Sequence, residues 1–198
     1  MTVGSRRTVT NGRNSRDDVV AAAGRLFAER GYHGTSMRDL GQELGLLGSS
    51  LYSHVTSKED LLVEVVEKGA ALFEASAERA RQIEGTGAER LKALVAGHVD
   101  VVIDHHDEVR TFLNEARFLD GEHRRRIVAA RDAYEAAFRA AIADGLADGS
   151  LDWKVDPKLG GIFVLSIVNA LERWYDPSGP LDRAALVERI WDFLAPGS

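Results

Sequence analysis

Apolar residues along this chain return at intervals of three and four, and nowhere at two for long enough to make a strand. That periodicity predicts an all-α fold of about nine helices. The first runs from Asp17 to Glu29, opening on acids, stopping at Arg30-Gly31, and carrying Val19, Val20, Ala23, Leu26 and Phe27 on one side. A second follows a Thr35-Ser36 cap and sets Met37, Leu40 and Leu44 in register, with Gly45 free to take the positive φ that ends a helix. The third, Gly48 to Val55, groups Leu47, Leu51 and Val55 and turns Ser49, Ser50, Tyr52, Ser53 and His54 outward. Thr56-Ser57 then caps a longer fourth helix, Lys58 to about Ile83, with acids in its first turn.

Beyond the break at Glu84-Gly85-Thr86-Gly87, a fifth helix bears Leu91, Leu94, Val95, His98, Val99, Val102 and Ile103 and ends near His105. Glu108 to Leu119 is a sixth, and Glu122 to Leu146, striped by Ile127, Tyr134, Phe138, Ile142 and Leu146, a seventh. Asp156-Pro157 opens an eighth that is apolar nearly all round from Leu159 to Tyr175, and after the turn at 176–180 a last helix carries Leu186, Val187, Ile190, Trp191, Phe193 and Leu194. A helix apolar on every side must be covered on every side. The last two are therefore expected to form a dimerisation surface from Ile167, Leu171, Leu186, Ile190, Trp191 and Leu194, the alternative being that they only close the monomer's own core.

Three short helices between residues 17 and 55 share few apolar groups, so they need the fourth helix and the body beyond to stay folded. Helix, glycine turn and a short helix with a small polar face together read as a DNA-reading unit, Thr35 to Leu61. The charge agrees once it is taken by segment. The chain as a whole is at −6, but residues 1–58 hold eight Lys/Arg against five Asp/Glu, a net of +3 that leaves −9 for the remainder. Arg6, Arg7, Arg13 and Arg16 stand in a stretch without acids, expected to be a floppy arm that can settle on phosphates or in a minor groove. The expected organisation is thus a basic arm over 1–16, a reader over 17–57 and a body over 58–198.

With no cysteine, disulfides, thiolate zinc sites, iron–sulfur clusters and cysteine nucleophiles are excluded. No apolar run reaches the roughly 18 residues of a membrane span and no signal-peptide core opens the chain, so a cytoplasmic location is expected. His105-His106-Asp107-Glu108 is the one constellation that suggests a metal. Neighbours on a helix diverge by about 100°, which leaves only His98, His105 and Asp107 able to share an ion, and the plainer reading is histidine at a helix C-terminus. Gly85-Thr86-Gly87 lacks the Lys-Ser/Thr of a phosphate loop, and no nucleophile elbow is present. Neither an enzyme nor a cofactor is expected.

Leu26-Phe27 to Gly31-Tyr32, Thr35 to Leu40, Gly45-Leu46, Leu51-Tyr52-Ser53-His54-Val55 and Ser57-Lys58-Glu59-Asp60-Leu61 together resemble the tetracycline-repressor (TetR) family of bacterial regulators. The resemblance covers about residues 17–64. It implies a homodimeric repressor with an N-terminal reader on each subunit and a helical body whose small-molecule effector releases operator DNA. It also implies roles: Thr35 and Ser36 at the cap that sits on a phosphate, Ser49, Ser50, Tyr52 and Ser53 on the recognition face, and His54 and Lys58 on the DNA backbone. The chain departs from the family pattern at Gly41, Gly48-Ser49 and Val55. Because residues 48–55 contain no Arg, Gln or Asn, bidentate base reading is poor there, and specificity is expected from Arg38, the arm, thymine methyls or DNA shape.

The C-terminal half resembles a TetR subgroup that answers to coenzyme A thioesters. That implies an apolar slot with cations near it, for which Phe112, Phe118, Phe163 and Trp174, with Arg117, Arg173 and Asn169, are the candidates. The competing reading is a DNA-binding dimer with no small-molecule switch.

Overall fold

The computed structural model describes residues 15–46 and 48–195, with side chains of 48 and 49 left aside; the basic segment before residue 15 and the expected contact of Leu47 lie outside the described residues. Ten α-helices follow in order: α1 Arg16–Arg30, α2 Met37–Leu44, α3 Gly48–Leu51, α4 Lys58–Arg81, α5 Gly87–Asp104, α6 His106–Asn114, α7 Gly121–Asp148, α8 Pro157–Asn169, α9 Leu171–Trp174 and α10 Arg183–Leu194. A 3-10 turn, Ala116–Phe118, sits between α6 and α7. No strand occurs among the described residues, and none of these helices is long and apolar enough to cross a membrane.

The helix starts are where side-chain oxygens can take up free amides. Ser15, Ser36, Ser57, Thr86, Asp156 and Asp182 each accept a backbone N–H from the first turn of the helix they precede. Gly45 ends α2 at φ 66°, a left-handed conformation that costs a side chain free energy and glycine little.

Three predicted helices are shorter than expected, the eighth ending at Asn169 with the short α9 after it. The third stops at Leu51 and continues as a turn, because Ser53 donates its hydroxyl to the Ser50 carbonyl at 2.7 Å and the amides of Ser53 and His54 close back by three residues. Serine side chains compete with the helical ladder in this way. The sixth helix ends at Asn114, with Glu115 as its cap and a 3-10 turn in place of its expected last residues.

One apolar core runs from Val19 on α1 through Leu62 and Phe73 on α4 to Phe138 on α7 and Trp191 on α10. α4 packs against α5, α6 and α7, while α1 lies on α4 and α6, so the reader's few apolar groups are completed by the body. Leu171, Leu186, Ile190 and Trp191 are closed inside this core. Of the six residues expected at a dimer surface, these four therefore pack within the chain itself, and Ile167 and Leu194 remain part-exposed. α8 turns Gly160, Gly161, Val164 and Val168 inward, which leaves Leu159, Ile162 and Phe163 exposed beside Phe193 of α10.

Candidate functional site

The reader's DNA-side geometry starts at the α2 cap. The Asp39 carboxylate accepts from the Ser36 amide at 2.8 Å and from its hydroxyl at 2.5 Å, and the Ser36 hydroxyl accepts from the Asp39 amide. Those hydroxyl and amide bonds hold the Asp39 carboxyl below the usual carboxylate range. Thr35 is buried, with its hydroxyl directed to the carbonyls of Leu26 and Gly31 and its amide closing on Tyr32. Neither amide expected to meet a phosphate is therefore free. The groups at the α2 start without a helical partner are the Met37 and Arg38 amides, with the exposed Arg38 side chain beside them.

Ser50 at the end of α3 and Tyr52 and Ser53 in the turn after it are exposed, and His54, expected on the DNA backbone, is half-buried beside them; the side chain of Ser49 lies outside the described residues. Tyr52, at 57% exposure, is the one large apolar ring on this face. Lys58 is placed differently from a free phosphate contact. Its ammonium donates to the carbonyls of Tyr32 at 3.0 Å and Thr35 at 2.9 Å and lies 4.2 Å from the centre of the Tyr32 ring. It braces the link between α1 and α2. Arg16 belongs to α1 rather than to a basic arm, and its guanidinium pairs with Glu64 on α4 and donates to the His54 carbonyl.

The body grips this same link. Glu115, buried at the end of α6, accepts the Tyr32 amide at 2.6 Å. The Phe118 ring stacks on Tyr32 at 5.9 Å and meets His33 edge-on at 4.3 Å, while the Arg117 guanidinium lies over Phe118. Phe118 and Arg117 thus stand at the joint between reader and body and not among the residues that line the cavity described next. Thr111 adds a bond from its hydroxyl to the Gly24 carbonyl. Glu115→Ala is expected to strip a buried N–H of its acceptor and to destabilise the chain by about 1–3 kcal/mol, read by urea denaturation. No change in midpoint would show that the Tyr32 amide finds another acceptor.

A cavity of about 320 Å³ opens within the body, lined among others by Phe73, His98, Phe112, Arg131, Tyr134 and Asn169. Of the expected ligand residues, Phe112 and Asn169 line it. Phe163 faces the outer groove between α8 and α10, Trp174 is exposed against Tyr175, and Arg173 borders a smaller recess beside Phe27 and Glu115, so the structure does not bring these three to this cavity. Phe112 can stand at the cavity because Gly69 lets α6 approach α4: a Cβ there would meet the Phe112 Cβ at 2.8 Å and the Glu108 carbonyl at 3.1 Å. Arg131 lies 4.7 Å over the Phe112 ring and donates to the Phe112 carbonyl.

Tyr134 was legible only as a member of an apolar stripe, and His98 as that or as a candidate metal ligand with His105 and Asp107, a group that does not come together among the described residues. A titratable or hydroxyl-bearing side chain within such a stripe was the available signal, and only the facing helices show that the two meet, 3.2 Å apart, at a cavity.

A short helix-turn-helix with its exposed face at one end, a helical body with an internal cavity, and a bonded joint between them define a DNA-binding transcription regulator of the two-domain kind. Residues 84–197 match the tetracyclin repressor-like C-terminal domain, and residues 19–65 match the bacterial regulatory proteins of the tetR family. The chain belongs to the TetR family.

Among its relatives, the HTH-type transcriptional repressor KstR2 of Mycobacterium tuberculosis is 28% identical over 170 residues, 84% of each chain. The crystal structure of the TetR family regulator PfmR from Thermus thermophilus is 31% identical, with a TM-score of 0.82 over 90% of this chain and 97% of that one. The structure of AibR in complex with isovaleryl coenzyme A and operator DNA is 29% identical, with a TM-score of 0.83 over 93% and 99% of the two chains.

Proposed function

We propose that the chain is a homodimeric repressor whose operator DNA is released when a small apolar effector, an acyl-coenzyme A thioester or a compound like one, enters the body. The observation that carries this is the short path along α6 between cavity and reader. Phe112 lines the cavity, and three residues on Glu115 holds the Tyr32 amide at 2.6 Å. A ligand that displaces Phe112 displaces the residue that positions the α1–α2 link, and through it the α2 start. AibR, a relative, is solved with isovaleryl coenzyme A and operator DNA, and KstR2 is named a repressor, which supports both the effector class and the sign.

At about 320 Å³ the cavity stands at the low end for ligand sites, room for an acyl group and not for a whole coenzyme. The thioester's nucleotide end would then lie outside, past the exposed Arg131. Two copies would meet through the exposed apolar face of α8 and α10.

The experiment is a gel shift on the DNA upstream of the chain's own gene, with and without a panel of acyl thioesters, free acids and drugs. Release by a thioester is the expected result. A dimer that binds this DNA but responds to nothing would favour a regulator without a small-molecule switch, and no binding at low salt would sink the regulator reading. Tyr52→Ala should weaken binding about tenfold per half-site without dissociating the dimer, and unchanged affinity would refute the placement of the DNA face.

A further inference from the structure

The cavity wall contains hydrogen-bonding capacity that the protein itself leaves unmet. His98 is 1% exposed, its Nδ1 lies 3.2 Å from the Tyr134 hydroxyl, and its Nε2 has no partner. Tyr134, half-buried at the same wall, has a hydroxyl able to make more than the one bond it makes. The surroundings are aromatic: Phe73 lies 4.7 Å from the imidazole and 5.2 Å from the phenol, and Phe138 lies 5.2 Å from the phenol. Burial pushes the imidazole pKa down to about 3, so the ring is neutral and carries one proton. Whichever nitrogen holds that proton, Nε2 is left as an unsatisfied donor or an unsatisfied acceptor. A buried group in that condition is destabilising, and a phenylalanine would fill much the same shape without leaving a polar atom unpaired.

We propose that the buried, otherwise apolar part of the effector carries a neutral oxygen function, a hydroxyl or a keto group, that hydrogen-bonds to the His98–Tyr134 pair. The inference rests on the effector reading above and specifies its chemistry. A carboxylate is a poor fit at that depth, because neither member of the pair is charged, whereas a neutral hydroxyl or carbonyl needs only a neutral donor or acceptor. The cavity volume allows a short or single-ring acyl group, and the oxygen tells such a group from its plain hydrocarbon counterpart.

The test uses matched thioesters on the full chain by titration calorimetry: butyryl-CoA against its hydroxybutyryl and oxobutyryl counterparts, and cyclohexanoyl-CoA against its ring-hydroxylated and ring-oxo counterparts. The oxygenated member of at least one pair is expected to bind about tenfold tighter, the effect of one net hydrogen bond. His98→Phe should bring that ratio to about one while the deoxygenated member binds as before, and His98→Gln, which keeps a donor and an acceptor, should retain most of the preference. If His98→Phe does not fold, Tyr134→Phe and the ratio in the native chain carry the same comparison.

Thioesters that bind with no oxygen preference, or a preference that survives His98→Phe, would overturn this inference and leave the effector reading standing. Failure of every thioester to bind would overturn both.

Discussion

Phe163→Asp is expected to lower operator affinity by more than about a hundredfold while leaving the chain folded, because it places a charge on the face through which two copies would meet. Phe163 is 53% exposed on α8 and Phe193 73% exposed on α10. They flank an apolar groove of about 680 Å³ that Ile167 and Leu194 also line. A contiguous apolar surface of that kind marks an interface in a soluble protein. In a two-fold dimer the same substitution enters twice, and each aspartate would lose hydration on a face that is mostly apolar.

A reader that has lost its partner keeps one half-site and forfeits the effective concentration that the second supplies. The control is Ile190→Asp. At 7% exposure Ile190 lies in the chain's own core, and the aspartate there should unfold the protein rather than merely separate two folded copies. Sedimentation and a gel shift on the same samples separate the two outcomes. A Phe163→Asp protein that remains dimeric with unaltered DNA affinity would remove this face from the dimer proposal.

The second large effect is on stability against pH. His98 is folded with a pKa lowered from 6.5 to about 3 by burial. For a base whose folded pKa is depressed, the unfolded chain binds the extra proton. Stability is then unaffected by this group above about pH 6.5 and falls as pH drops through the window down to about 3. At about pH 5 the loss is about 1.36 kcal/mol for each of roughly 1.5 pH units, or about 2 kcal/mol.

The carboxylates held below their usual range by hydrogen bonds, Asp39, Glu89 and Asp148, are shifted in the same downward direction. Their contribution is present above the ordinary carboxylate pKa and lost below it, so it overlaps only the acid end of the His98 window and stays outside a comparison made above about pH 5. Urea denaturation at about pH 7.5 and about pH 5, at one protein concentration, should show the native chain losing about 2 kcal/mol more than His98→Phe. Equal losses would mean that the imidazole is protonated without cost, and hence that it is not buried as described.

The reader was the most legible part of the chain, since its signals are local. Ser36 with Asp39 three residues on, Gly45 at a positive φ and Ser57 before an acidic turn each act within one helix turn of their own position. The length of the third helix was not legible in the same way. Whether Ser53 bonds outward or back to Ser50 is a choice between two nearly equal hydrogen bonds, decided by the packing of Leu51 and Val55 beneath it.

Periodicity showed that α8 and α10 bury apolar faces, but an apolar stripe is the same whether it meets its own chain or another copy. Leu171, Leu186, Ile190 and Trp191 went to the first, Phe163 and Phe193 to the surface.

By itself, then, the sequence determined the all-helical class, the order of the main helices, most of their caps, and the family pattern of the DNA-reading segment, because each depends on bonds and contacts spanning a few residues. Tertiary structure decided the rest. Glu115 reaches the Tyr32 amide across 83 residues, Phe118 stacks on that same tyrosine instead of lining a pocket, and His98 meets Tyr134 at a cavity edge. Those pairings depend on how helices cross and how closely glycines such as Gly69 let them approach, which no stretch of a single helix contains.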